Sequence, residues 1–187
     1  VILADEDYQM GGRLNSETYE VSGETGANFV GEALKELGSI DNVQLMPRTT
    51  VYGVYDHGIY GALERKTDHL PSSSDGPRQV LWRVYAKRAI LCAGATERPI
   101  AFGNNDRPGV MLAGAVRAYV NRWGVVPGKK VAVFTNNDDG WRTATDLASK
   151  GVEISAVIDS RGGTPPVKLS GARIVMDGRV VDTKGRH

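Results

Sequence analysis

Apolar and polar residues alternate in two rhythms along this chain, and each rhythm predicts a different element. Val1-Ile2-Leu3-Ala4 is a continuous apolar run that stops at Asp5-Glu6, with Gly11-Gly12-Arg13 close behind. Such a run predicts a parallel strand buried on both faces and ending in a carboxylate. From Thr25 to Leu37, Phe29, Val30, Ala33, Leu34 and Leu37 recur at helical spacing, and Gly38 closes the segment; either Ser22 or Thr25 is suited to cap it. The rhythm then shifts to strands: Val43–Met46, Thr50–Tyr55, Ile59–Arg65, Gln79–Tyr85 and Ala89–Ala93. Asp56-His57-Gly58 reads as the turn joining two of them, and the polar stretch from Leu70 to Arg78 as a mobile loop.

After Pro108-Gly109 the pattern returns to helical spacing over Val110–Trp123. A strand at Lys130–Phe134, a polar loop to Gly140, a helix from Trp141 to Lys150 and a strand at Val152–Ile158 ending at Asp159 follow. This is a unit of roughly 30 residues, the size of a right-handed strand–helix–strand crossover. Gly171–Thr183 reads as a hairpin turning at Asp177-Gly178. The predicted fold is α/β: a Rossmann-like dinucleotide-binding fold with a β-meander, then part of a nested second Rossmann-like unit. The expected domains are residues 1–103 and 104–187. The chain opens inside a strand-like run, so it reads as a fragment or processed piece that begins one strand late, with an exposed sheet edge at Val1–Ala4.

Charge removes some function classes. Lys and Arg number 23 against 22 Asp and Glu, a balance that argues against nucleic-acid or membrane-surface partners, which call for a basic surplus. No apolar run approaches the roughly 20 residues needed to cross a bilayer. Cys92 is the only cysteine, so neither an intrachain disulfide nor C-x-x-C redox chemistry is available; a reducing, cytoplasmic setting fits. Within an apolar strand Cys92 reads as a small core residue. His57, His69 and His187 have no neighbours at metal-ligand spacing, and Ser72-Ser73-Ser74 has loop composition rather than that of a nucleophile elbow. No catalytic or metal-ligating residue is expected.

Three segments carry binding chemistry. A carboxylate at the tip of the second strand of a dinucleotide-binding unit accepts hydrogen bonds from an adenosine ribose; Asp5 is placed for this, with Glu6 behind it. Gly11 and Gly12 let main-chain amides approach a ribose or phosphate, and Arg13 is placed to meet phosphate charge. The alternative is that Asp5 only ends a strand and the glycines only make a turn. Gly94, Ala95 and Thr96 follow the apolar run Ala89–Ala93, either as an ordinary strand–turn or as the small-residue turn that, in the flavoproteins this segment resembles, lets main chain pass close to a bound dinucleotide. The third segment, Phe134-Thr135-Asn136-Asn137-Asp138-Asp139-Gly140, stands where G-x-G-x-x-G belongs. Only Gly140 stays in register, and Asp138 and Asp139 would repel a pyrophosphate. The second unit is therefore expected to keep the fold without holding a dinucleotide, with Asp159 structural.

The stretch Ala93–Pro99 resembles the A-T-G-x-x-x-x-P segment of two-dinucleotide-binding-domain flavoproteins, with Gly94-Ala95 at its centre and a β-meander upstream as is usual there. More specifically, the strand ending at Asp5-Glu6 with Gly11-Gly12-Arg13-Leu14, the run Ala86–Pro99, and Asn105–Arg117 continuing to Pro127-Gly128-Lys129-Lys130-Val131 are similar to the alpha-subunit family of heterotetrameric sarcosine oxidases. The likeness spans residues 1 to 161. It implies that the alpha subunit binds NAD, with FAD as the alternative at the first site. It also implies FMN and FAD elsewhere in a hetero-oligomeric oxidase, whose other subunits complete the oxidative demethylation of sarcosine to glycine with tetrahydrofolate and oxygen. The family's amino-terminal glycine loop and carboxy-terminal folate domain are absent from these 187 residues, so the fragment alone is expected to be inactive and to bind dinucleotide weakly. Related subunits of opine oxidases, cyanide-forming glycine oxidases or dye-linked proline dehydrogenases share the architecture. A scaffold that binds nothing and docks partner subunits is the reading from another class.

Overall fold

A computed structural model describes residues 1–71 and 76–185; Ser72, Ser73, Ser74, Asp75, Arg186 and His187 lie outside the described residues. The chain divides into two compact units, one made of Val1–Asn15 and Tyr19–Gly94, the other of Ser16–Thr18 with the chain from Ala95 onward.

In the first unit, β1 (Ile2–Ala4) is followed by a 3-10 turn over Gly12–Ser16 and a two-residue ladder of β2 (Glu20–Val21) and β3 (Glu24–Thr25). Helix α1 (Gly26–Gly38) starts where the predicted cap falls: Thr25 Oγ1 accepts the Asn28 amide at 3.3 Å. Val30, Ala33, Leu34 and Leu37 form its half-buried stripe, while Phe29 is exposed. Strand β4 (Gln44–Met46) lies parallel to β1, Leu3 opposite Leu45. The antiparallel meander then follows as β5 (Thr49–Tyr55), β6 (Ile59–Arg65) and β7 (Gln79–Tyr85), in the order predicted. His57 takes a φ of 62° in the turn between the first two. Two glycines let the meander carry aromatic rings flat on one face. A Cβ on Gly61 would lie 2.7 Å from the Tyr52 ring, and one on Gly53 2.6 Å from the Tyr55 hydroxyl.

Residues 89–93 do not form the buried strand expected of them. The segment is irregular, Ile90 and Leu91 are each 90% exposed, and Cys92 is exposed rather than in a core. An apolar run becomes a strand only where a neighbour satisfies its amides and carbonyls, and no described strand lies beside this one.

In the second unit, helix α2 (Ala113–Arg117) passes into a π-turn, Ala118–Arg122, closed by the Trp123 amide on the Ala118 carbonyl. The predicted single helix over 110–123 is thus shorter and widened at its end. Strand β8 (Lys130–Thr135), helix α3 (Asp138–Ser149) and strand β9 (Glu153–Asp159) make the expected parallel crossover. Helix α3 begins three residues before Trp141 because the Asn137 side chain caps it, accepting the Asp139 amide at 3.0 Å, and Asp138 and Asp139 suit the positive end of the helix. Val116, Val120, Val133, Trp141, Ala144, Leu147, Val152, Ile154 and Val157 form the core, α3 contributing residues at three-residue spacing.

The predicted hairpin over 171–183 is replaced by a third parallel strand. β10 (Arg173–Met176) pairs with β9, not with the residues after the turn. The Asp177-Gly178 turn is real, with Asp177 at φ 53°, but its amides bond the Arg161 and Asp159 carbonyls. Asp182 bridges Gly103 instead.

Candidate functional site

The end of β1 is held in place by main chain. The Asp5 amide bonds the Met46 carbonyl at 3.1 Å, the Thr49 amide bonds the Asp5 carbonyl at 2.8 Å, and the Arg48 amide bonds the Asp7 carbonyl at 2.9 Å. One Asp5 oxygen, Oδ1, accepts the Asp7 amide at 2.9 Å, which turns the chain sharply after the strand. The result is a polar pocket of about 540 Å³ lined by Asp5, Glu6, Asp7, Tyr8, Gly12, Arg48 and Arg65.

The residues singled out in sequence divide here. Asp5, Glu6 and Gly12 line the pocket. Gly12 has a φ of 53°, and the space its Cβ would enter is clear of protein atoms, which suits a close approach by ligand. Gly11, at φ 127°, packs instead: a Cβ there would lie 2.8 Å from Val30 of α1. Arg13 is exposed on the 3-10 turn and is not among the lining residues. Gly94, Ala95 and Thr96 lie in an exposed irregular segment, with Gly94 at φ 69°. Glu97 beside them has a structural task that sequence did not reveal: Oε1 accepts the Ala113 amide at 3.0 Å and Oε2 the Gly114 amide at 2.7 Å, capping α2 from 16 residues away.

Asp7, Tyr8, Arg48 and Arg65 are the lining residues missed in sequence. Arg65, at the end of β6, donates from Nη2 to the Glu6 carbonyl at 2.5 Å, while its buried Nε has no acceptor among the described residues. Arg48 sits in the link between β4 and β5, with its guanidinium 5.4 Å from the Tyr8 ring centroid. The only sequence signal for either arginine is a basic residue at a strand end. A carboxylate for ribose hydroxyls, a glycine without obstruction and two guanidinium groups fit the adenosine end of a dinucleotide.

The corresponding place in the second unit is filled by its own side chains. Asp159, fully buried at the tip of β9, accepts Trp141 Nε1 at 2.7 Å, the Arg161 amide at 2.9 Å and Arg161 Nη2 at 2.8 Å. The Arg161 hydrogen bond, helped by that of Trp141, holds its carboxyl down to about 2 against the cost of burial. Arg161 also pairs with Asp138 at 2.9 Å, and Arg117, only 2% exposed, joins Asp139 and Glu17. The acidic residues that replaced the glycine loop thus have arginine partners, and Asp159 already has donors where a ribose would supply them. Gly140 survives for packing, since a Cβ there would lie 2.3 Å from Thr135 Oγ1.

Among the described residues, no cluster of three or more His, Cys, Asp or Glu is placed for a metal ion, and no helix is long and apolar enough to cross a membrane.

No protein-family model matches the chain. It is 46% identical over 186 residues to the sarcosine oxidase subunit alpha of Rhizobium meliloti (strain 1021), covering 99% of this chain and 19% of that protein. The subunits alpha of Corynebacterium sp. strains P-1 and U-96 are 39% and 40% identical, again over nearly the whole chain and 20% and 19% of their own lengths. Among solved structures, L-proline dehydrogenase from P. horikoshii shares the fold with a TM-score of 0.65 at 21% identity, over 94% of this chain and 36% of that one. The chain thus spans about one fifth of the length of the curated relatives it matches. Over nearly all of its residues it is similar to a segment of sarcosine oxidase alpha subunits, and its α/β architecture is a Rossmann-like fold with a β-meander and part of a second unit.

Proposed function

We propose that this chain is the dinucleotide-binding part of an alpha subunit in a multi-subunit, cytoplasmic sarcosine oxidase, whose whole assembly oxidatively demethylates sarcosine to glycine with tetrahydrofolate and oxygen. Residues 1–103 act as a partial dinucleotide-binding domain and residues 104–187 as a nested second unit. The observation that carries the reading is the pocket at the end of β1. There Asp5 presents a carboxylate beside Gly12 and two arginines.

The dinucleotide is NAD, with FAD as the alternative; the family resemblance puts FMN and a further FAD in other parts of the complex. The chain's own residues bind and orient: Asp5 and Glu6 take ribose hydroxyls, and Gly12 clears the approach. Arg65 supplies positive charge, and Arg13 meets phosphate from the adjoining turn. When bound, NAD supplies hydride-transfer chemistry.

Isothermal titration of NAD, and separately of FAD, into the full-length protein and its Asp5→Ala variant tests this. NAD binding weakened by about 1–3 kcal/mol in the variant is expected from loss of a hydrogen-bonded carboxylate. If neither dinucleotide binds, the reading falls. In that case the chain serves as a docking scaffold for partner subunits.

A further inference from the structure

Tyr8 is placed by the same turn that presents Asp5. Once the Asp7 amide has folded back onto Asp5 Oδ1 and the Asp7 carbonyl has taken the Arg48 amide, the ring of Tyr8 lies on the pocket wall three residues beyond the ribose carboxylate. It keeps 48% of its surface in solvent. Arg48 reaches it from a costly backbone. Its φ is 55°, a conformation disfavoured for a residue with a long side chain, and the Arg65 amide on the Arg48 carbonyl at 2.9 Å fixes it there. Strain of this kind persists where surrounding structure imposes it, and it concentrates at ligand-binding sites.

We propose that Tyr8, backed by Arg48, is the platform on which the adenine base of the dinucleotide lies. The inference rests on the NAD reading above and deepens it. Geometry and chemistry agree: a carboxylate for the ribose and a ring for the base stand on one wall, three residues apart. An aromatic side chain stacks on the π-face of a base without needing base-specific hydrogen bonds. The Arg48 guanidinium over the ring fixes its orientation through cation–π attraction. The site is therefore an adenosine site before it is a nicotinamide site, and ligands lacking adenine gain nothing from it.

The test is titration of NAD, ADP-ribose and nicotinamide mononucleotide into the full-length protein and its Tyr8→Ala, Tyr8→Phe and Asp5→Ala variants, with etheno-NAD emission as a direct report of base stacking. Tyr8→Ala should weaken NAD and ADP-ribose alike by about 10- to 100-fold and leave nicotinamide mononucleotide unchanged. Tyr8→Phe should keep wild-type affinity and the quenched etheno-NAD emission, and the unchanged mononucleotide binding of Tyr8→Ala excludes a folding defect as the cause. If Asp5→Ala weakens NAD and Tyr8→Ala does not, the platform is refuted while the NAD reading stands. Equal weakening of nicotinamide mononucleotide by Tyr8→Ala also refutes the platform. Absence of NAD binding to the unmodified protein overturns both.

Discussion

Replacing Asp159 by alanine should destabilise the second unit by about 2–3 kcal/mol. The structure separates the contributions. Trp141 is 1% exposed and donates to Asp159 from Nε1 at 2.7 Å; without the carboxylate this N–H is stranded in the core, at a cost of roughly 1–3 kcal/mol. Arg161 adds little to the loss. Its side chain is 42% exposed and still has Asp138, so it is readily rehydrated. Asp159→Asn keeps an acceptor oxygen for Trp141 and should cost about 1 kcal/mol less than the alanine variant. Arg161→Met should be worse than Asp159→Asn, because it leaves a buried carboxylate without its cation, the costlier way to break such a pair. Urea unfolding of the chain followed by circular dichroism gives each value; with a slope of about 1–3 kcal/mol/M, Asp159→Ala should lower the midpoint by about 1 M or more. If Asp159→Ala unfolds within 0.5 kcal/mol of the unmodified chain, the buried network contributes nothing and this account of the second unit is wrong.

The same carboxylate sets an acid limit. Its folded-state value near 2 lies below the ordinary carboxylate value of 3.8, so its stabilising contribution is fully present above about pH 4 and lost as pH falls toward 2. Asp159→Asn should flatten that part of a stability-against-pH curve. Gly140→Ala should cost about 1–3 kcal/mol by overpacking against Thr135, in spite of alanine's better helix propensity, and a melting curve decides it. Thr25→Ala should remove the cap of α1 and cost about 1 kcal/mol in the same assay, with Thr25→Ser restoring most of it.

The elements whose partners lie near in sequence were legible. The meander from Thr49 to Tyr85 could be read because each strand pairs with the next, and α1 because Thr25 and Gly38 bracket a clean apolar stripe. Where the deciding partner is remote, the reading failed. The run at 89–93 has the composition of a buried strand but lacks a described neighbour, and the strand at 173–176 pairs with β9 across an intervening loop instead of folding on itself. Of the pocket, Asp5, Glu6 and Gly12 were visible because strand tips and glycines leave a local signature. Tyr8, Arg48 and Arg65 converge through hydrogen bonds between segments remote in sequence, Arg48 to Asp7 and Arg65 to Glu6 among them, which spacing along the chain cannot show.

Asp159 and its neighbours also change how this part of the chain responds to its surroundings. A cofactor stabilises the fold that holds it in proportion to the logarithm of its concentration, so ordinary nucleotide folds loosen when the nucleotide is scarce. In the second unit the donors to the strand-tip carboxylate come from Trp141 and Arg161, which are carried on the same polypeptide and cannot be diluted. The hold of this network on the strand tip is therefore set by the fold itself and does not vary with the concentration of any ligand.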